Sequence, residues 1–181
     1  MRTFNDIQRK LNLKKFVGSF NGDLFCTPVA PGVPRILVRH FNRGWPGELI
    51  PTYVAVLRET AAWIERDPQL ASVVRVEQPT EIGQDFLALP HRMGTPLSAY
   101  SDDEDPPEPP EELSAMQSRF RARLTEVRPE DELIVRILGR SVLEPTGKTI
   151  YSFPEEKFII NDLKPTREEL EQYKAAHSEA S

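Results

Sequence analysis

Apolar positions recur along this chain with a helical period in some stretches and as short β-branched runs in others. The clearest stripe lies in residues 46–66. There Ile50, Val54, Leu57, Ala61 and Ile64 follow one another at steps of four, three, four and three, one face of a 3.6-residue helix. Tyr53, Val56 and Trp63 widen that face, while Arg58, Glu59, Glu65 and Arg66 fall off it. Residues 35–41, with the run Ile36-Leu37-Val38, predict a strand covered on both faces or placed centrally in its sheet. Asp67-Pro68 stops the long helix, and residues 72–77 and 85–89 predict two further strands joined as a hairpin. A helix so apolar on one side requires a sheet to cover, so residues 34–90 organise the rest.

Weaker patterns flank this region. Phe4, Ile7, Leu11 and Leu13 predict a short N-terminal helix with Thr3 or Asn5 as its cap. Residues 15–20 and 23–27 predict a hairpin around Asn21-Gly22, a pair suited to a type I′ turn. In the second half, Leu113, Met116, Phe120 and Leu124 mark a helix over 110–127. Residues 133–138 and 141–143 read as one strand or a strand pair, followed by strands at 148–153 and 157–160. A C-terminal helix opens on a capping box, Thr166 with Glu169 three residues on, and its apolar positions are Leu170, Tyr173 and Ala176. So narrow a stripe packs weakly on a body. It can dock into a partner's groove or fray, and the last residues, 177–181, read as disordered.

These patterns predict an α+β fold: a mixed or antiparallel sheet packed against one long amphipathic helix (46–66), with a second strand-rich segment and a C-terminal helix. The expected organisation is a core over 1–100, an acidic proline-rich loop over 101–112, and a helix with strands over 113–164, packed on the core or forming a small subdomain. A C-terminal helix and tail over 165–181 completes it.

Composition changes the picture in three places. Seventeen prolines against nine glycines among 181 residues favour short elements and stiff connections. The net charge of −5 conceals a concentrated segment, since residues 101–112 hold seven acids, and without them the balance is +2. Prolines 106, 107, 109 and 110 keep that segment extended, as a solvated spacer or as a site for a basic partner. A single cysteine, Cys26, allows no internal disulfide. With no apolar run of about 18 residues and no signal-peptide core, the expectation is a cytoplasmic protein that does not insert into membranes.

Candidate chemistry is sparse. His40, His91, His177 and Cys26 stand far apart, without the short spacings of a zinc site, so no metal ligand and no cofactor is expected. Cys26 with His40 or His91 is the one conceivable nucleophile–base pair. A flexible loop cannot shift the pKa values of Asp102, Asp103 and Asp105, so they do not make paired catalytic carboxylates. Trp45 and Trp63 read as a cover for the helix start and a core anchor. Arg9, Lys10, Lys14 and Lys15 make one basic end, and Arg119, Arg121, Arg123 and Arg128 another. A nucleic-acid surface is the sharper reading of both. Solvated helix ends, and arginines favouring the C-terminal part of their helix, are the simpler one.

The order of elements over residues 16–100 resembles the small N-terminal lobe of protein kinases. Residues 17–22 (VGSFNG) are similar to a reduced glycine-rich loop, residues 36–39 (ILVR) to the strand bearing the ATP-binding lysine, and Leu57-Arg58-Glu59 to the helix supplying its partner glutamate. Residues 73–76 and 86–89 are similar to the next two strands, and residues 94–100 to the post-hinge segment. Asp162-Leu163-Lys164-Pro165 is similar to part of the catalytic loop. Arg39 stands at the lysine position and Arg167 where the family holds its metal-binding asparagine, so the resemblance implies a degenerate module without phosphoryl transfer.

The function expected from the residues is therefore that of a non-catalytic adaptor or assembly component with protein partners. Leu170, Tyr173 and Ala176, together with Arg119 and Arg123, are the candidate partner-binding residues. The alternative is a degenerate kinase-like regulatory module that binds a nucleotide or a kinase.

Overall fold

The computed structural model describes residues 1–15, 24–42, 46–101, 104–146 and 148–178. In chain order these residues form α1 (Phe4–Leu11), β1 (Lys14–Lys15), β2 (Leu24–Cys26), β3 (Ile36–His40), α2 (Ile50–Glu65), α3 (Pro68–Val73), β4 (Val74–Val76), β5 (Glu81–Ile82) and β6 (Phe86–Pro90). They continue as β7 (Thr95–Pro96), α4 (Glu111–Arg123), α5 (Glu132–Val142), β8 (Thr149–Ser152), β9 (Lys157–Ile160) and α6 (Arg167–Ser178). The fold is α+β. Two compact units divide it, residues 1–54 with 78–91 and residues 55–77 with 92–181.

The first unit holds an antiparallel sheet in the order β1-β2-β3-β6-β5. Its centre is the Ile36–His40 strand, and side chains alternate between its two faces. Val38, Phe86 and Ala88 face α1, where Phe4, Ile7 and Leu13 join them in one core. Leu37, Leu87 and Leu89 fall on the alternate positions and are equally buried, so the strand is covered on both faces as its β-branched run requires. Thr3 caps α1 through a capping box with Asp6, and Asp85 Oδ1 accepts from the Phe4 amide at 2.6 Å. At the start of α2, Tyr53 is fully buried, 5.8 Å from the Phe41 ring and 5.5 Å from the Arg39 guanidinium. Antiparallel pairing of Lys14–Lys15 with Leu24–Cys26 fits the expected hairpin; its turn and the glycine-rich stretch over 16–23 lie outside the described residues, as do Trp45, Asp102, Asp103 and residues 179–181.

The expected hairpin of residues 72–77 with 85–89 does not form. Asp67 Oδ1 accepts from the amides of Gln69 and Leu70, and Pro68 occupies the first helical position, so residues 68–73 wind into α3. Only Val74–Val76 remain extended, and they pair in parallel with β9. Glu81–Ile82 takes the place beside β6 instead.

The second unit carries a sheet ordered β4-β9-β8-β7, with the two strands read at 148–153 and 157–160 paired antiparallel as β8 and β9. The larger correction concerns residues 133–138 and 141–143, which are helix rather than strand. Ile134, Leu138 and Ser141, with Val135, Ile137 and Val142 beside them, form a buried stripe along α5. Pro129–Asp131 makes a 3-10 turn that leads into this helix with Asp131 at its N-cap. Burial along one face overrides the β-propensity of the LIVRIL run. In α4 the apolar line buries Met116 and Phe120, whereas Leu124 lies past the helix end and is 40% exposed. Trp63 is buried edge-to-face against Phe120, as its reading as a core anchor required.

Gly94 lies where β7 approaches β8 too closely for any side chain, because a Cβ there would come within 2.0 Å of the Tyr151 carbonyl oxygen. Gly94→Ala should therefore cost about 1–3 kcal/mol of stability through forced backbone displacement. Urea unfolding of the purified variant checks this, and an unchanged midpoint would refute the close approach.

Candidate functional site

The last helix starts from its own sequence signal. Thr166 Oγ1 accepts from the Glu169 amide at 3.1 Å, and Glu169 Oε2 accepts from the Thr166 amide at 2.8 Å, so the capping box is complete. Glu169 does more than cap. Its carboxylate also accepts from both terminal nitrogens of Arg140, at 2.8 and 2.6 Å, and from Arg136 Nε at 3.2 Å. Burial by itself raises the pKa of this carboxyl, but Arg140, the Thr166 amide and Arg136 outweigh it and hold the group below its ordinary 4.5.

One turn on, Leu170 is fully buried, and Tyr173 Oη donates to Glu59 Oε1 at 2.6 Å. Burial and the Glu59 carboxylate push the Tyr173 phenol well above its ordinary 10.0, so it stays protonated as a donor. His177 stacks on Tyr173 at 4.0 Å between ring centroids, and its Nδ1 lies 2.8 Å from the Tyr173 carbonyl oxygen. The expectation of a weakly packed C-terminal helix is thus corrected. Its apolar stripe is narrow, but charged and polar anchors on either side of that stripe fix it.

A cavity of about 290 Å³ opens between the first turns of α5 and the last turns of α6. Pro129, Leu133 and Ile134 line it from the α5 side, and Tyr173, Ala176 and His177 from the α6 side. Four polar side chains complete the lining: Glu130, Glu132, Arg136 and Gln172. Arg136 Nη2 donates to Gln172 Oε1 at 3.1 Å, tying the two walls together.

The structure brings only part of the expected partner-binding set to this groove. Tyr173 and Ala176 line it, whereas Leu170 is committed to the core. Arg119 pairs with the Asp67 carboxylate, and Arg123 lies 3.6 Å over the Trp63 ring while donating to the Trp63 carbonyl oxygen at 2.6 Å. Both arginines thus hold α4 in place, and neither lines the groove. Leu133, Ile134 and Arg136 were missed because the segment over 133–138 reads as strand, and Gln172 and His177 because they lie off the apolar stripe of the C-terminal helix. The helical spacing of Ile134, Leu138 and Ser141 is the signal that would have found the α5 wall.

The other candidates resolve through register and burial. Cys26 pairs with Leu37 in β3, and His40 stands three residues on, so their side chains point to opposite faces of the sheet and form no dyad. His40 instead stacks on Phe4 at 4.0 Å. Among the described residues no group of three His, Cys, Asp or Glu side chains is arranged to hold a metal ion, and no helix is long and apolar enough to cross a membrane.

The geometry defines an α+β protein with a groove of about 290 Å³ between two of its helices. No family model matches this chain, and no curated protein matches it either.

Glu169 sets a pH dependence of known sign. Its folded pKa lies below the unfolded one, so its contribution is complete above about pH 4.5 and is lost as pH falls through the folded value. Glu169→Gln should cost about 1–3 kcal/mol at neutral pH, since Arg136 and Arg140 lose their charged partner and keep only Gln172 and the Lys164 carbonyl. The difference from the unaltered protein should hold at neutral pH and shrink in chemical unfolding as the pH falls below about 4.5. A difference constant over that range would refute the assignment.

Proposed function

We propose that this chain is a non-catalytic interaction component, an adaptor or assembly subunit, that receives a side chain of a protein partner in the α5–α6 groove. One observation carries the reading: a cavity of about 290 Å³ whose two walls are rigidly tied through Glu169, Arg140 and Arg136. A preformed groove binds without the cost of ordering its walls. At about 290 Å³ the cavity lies at the lower end of the roughly 300–1,000 Å³ of pockets for whole small molecules, and it has room for an inserted side chain.

A second reading, the degenerate kinase-like regulatory module, draws support from the chain order of β1, β2, β3, α2 and β6, which follows that family's small lobe, although β4 pairs with β9 and not with β6. Against it stand Glu59, engaged by Tyr173, and Asp162, which is 1% exposed.

Two measurements separate these readings. The tagged protein should co-purify from its native cells with a stoichiometric protein partner that Ala176→Trp, which fills the groove, abolishes. Lys174→Trp, on the same helix but outside the groove, should retain it. Recovery of the protein alone, or equal recovery of the partner by both variants, would overturn the adaptor reading of the groove. Mg-ATP should leave the melting temperature unchanged, and a saturable rise would transfer support to the kinase-like module.

A further inference from the structure

We propose that the groove takes the side chain of a lysine or arginine, presented by a basic segment of the partner protein. The inference rests on the docking reading above and adds the chemistry of what enters.

The lining is amphipathic in a particular sense. Leu133, Ile134 and Ala176 offer apolar surface, and the stacked rings of Tyr173 and His177 continue it. Such a wall suits a long aliphatic stem, which lysine and arginine lay along apolar surface while their heads remain in polar surroundings. A cation beside an aromatic face gains further attraction.

The charges select the sign of the head. Glu130 and Glu132 both line the cavity, and Glu132 has no ion pair among the described residues. Glu130 meets Arg128 at 3.3 Å, but Arg128 also holds Asp131, at 2.9 Å, so its charge is divided. The one guanidinium in the lining, Arg136, is turned to Glu169 and Gln172, at 3.2 and 3.1 Å. Behind the rings, the Glu59 carboxylate accepts from Tyr173 and lies 3.7 Å from His177 Nε2. The carboxylates left for an incoming group therefore outnumber the free cations. An acidic side chain or a phosphate would meet like charge here, and a neutral apolar one would strip water from Glu130 and Glu132 without replacing it. A cationic head meets both with opposite charge.

The test is an amide-resolved NMR titration of the full chain with three blocked amino acids: acetyl-arginine amide, acetyl-lysine amide and the neutral isostere acetyl-citrulline amide. The two cations should give saturable shifts at Leu133, Gln172, Ala176 and His177, with citrulline about two- to fivefold weaker, the discrimination expected of a partly exposed ion pair. Glu130→Gln combined with Glu132→Gln should remove that preference, while Glu108→Gln, in the acidic segment, should not. Equal response to arginine and citrulline, or shifts confined to residues 104–112, would overturn the cation assignment. The two readings fail separately. A partner lost with Ala176→Trp but no groove response to either cation leaves the docking site standing and removes its charge selectivity. A groove response to the cations with no partner lost would overturn the protein-docking reading while upholding the pocket's preference for positive charge.

Discussion

A buried carboxylate governs the part of the molecule most suited to recognition. Glu169 sits on the first turn of α6 and is satisfied by two arginines from α5 and by the backbone at its own helix start. Taking α6 away from α5 would leave that carboxylate with only its own Thr166 amide and would strip both guanidiniums of their charged partner, a costly loss even for groups that reach water. The interaction therefore does what the helix's narrow apolar stripe cannot do alone. It sets the spacing of α5 and α6, and that spacing is the groove.

The same device recurs elsewhere in the second unit. Asp67 caps α3 and takes Arg119 from α4, and Asp131 starts α5 while holding Arg66 and Arg128. Asp67 and Glu169 each bond a helix start and accept an arginine from another element with the same carboxylate, whereas Asp131, at the N-cap position without a side-chain cap bond, gathers arginines only. The arginines that a nucleic-acid reading would place on an open basic face are largely committed in this way, with Arg123 laid on Trp63. Asp67, Asp131 and Glu169 thus use charge as internal geometry, whereas Glu132, which lines the groove, has no ion pair among the described residues.

Stiffness follows from these pairings and bears on function. A groove closed by side chains that are themselves held has little conformational entropy to lose when a ligand enters. Its apolar wall supplies contact area and its carboxylates supply sign, the division of labour expected where charge sets specificity more than affinity.

Much of the fold was legible in the chain itself, because some signals are local. The 3.6-residue stripe of Ile50, Val54, Leu57, Ala61 and Ile64, the Thr166–Glu169 capping box and the strands over 149–152 and 157–160 depend on neighbours a few residues away. Other features depend on what lies across space, and only the tertiary structure decided them. A β-branched run such as residues 133–138 is compatible with strand or helix until one face is buried, and burial made it α5. Residues 74–76 could pair with either sheet, and joined β9. The groove was legible only in half. Tyr173 and Ala176 belong to a helix the sequence announces, but Leu133 and Ile134 reach them across about forty residues of intervening chain. No periodicity encodes that meeting; it arises because a carboxylate on one helix finds two arginines on another.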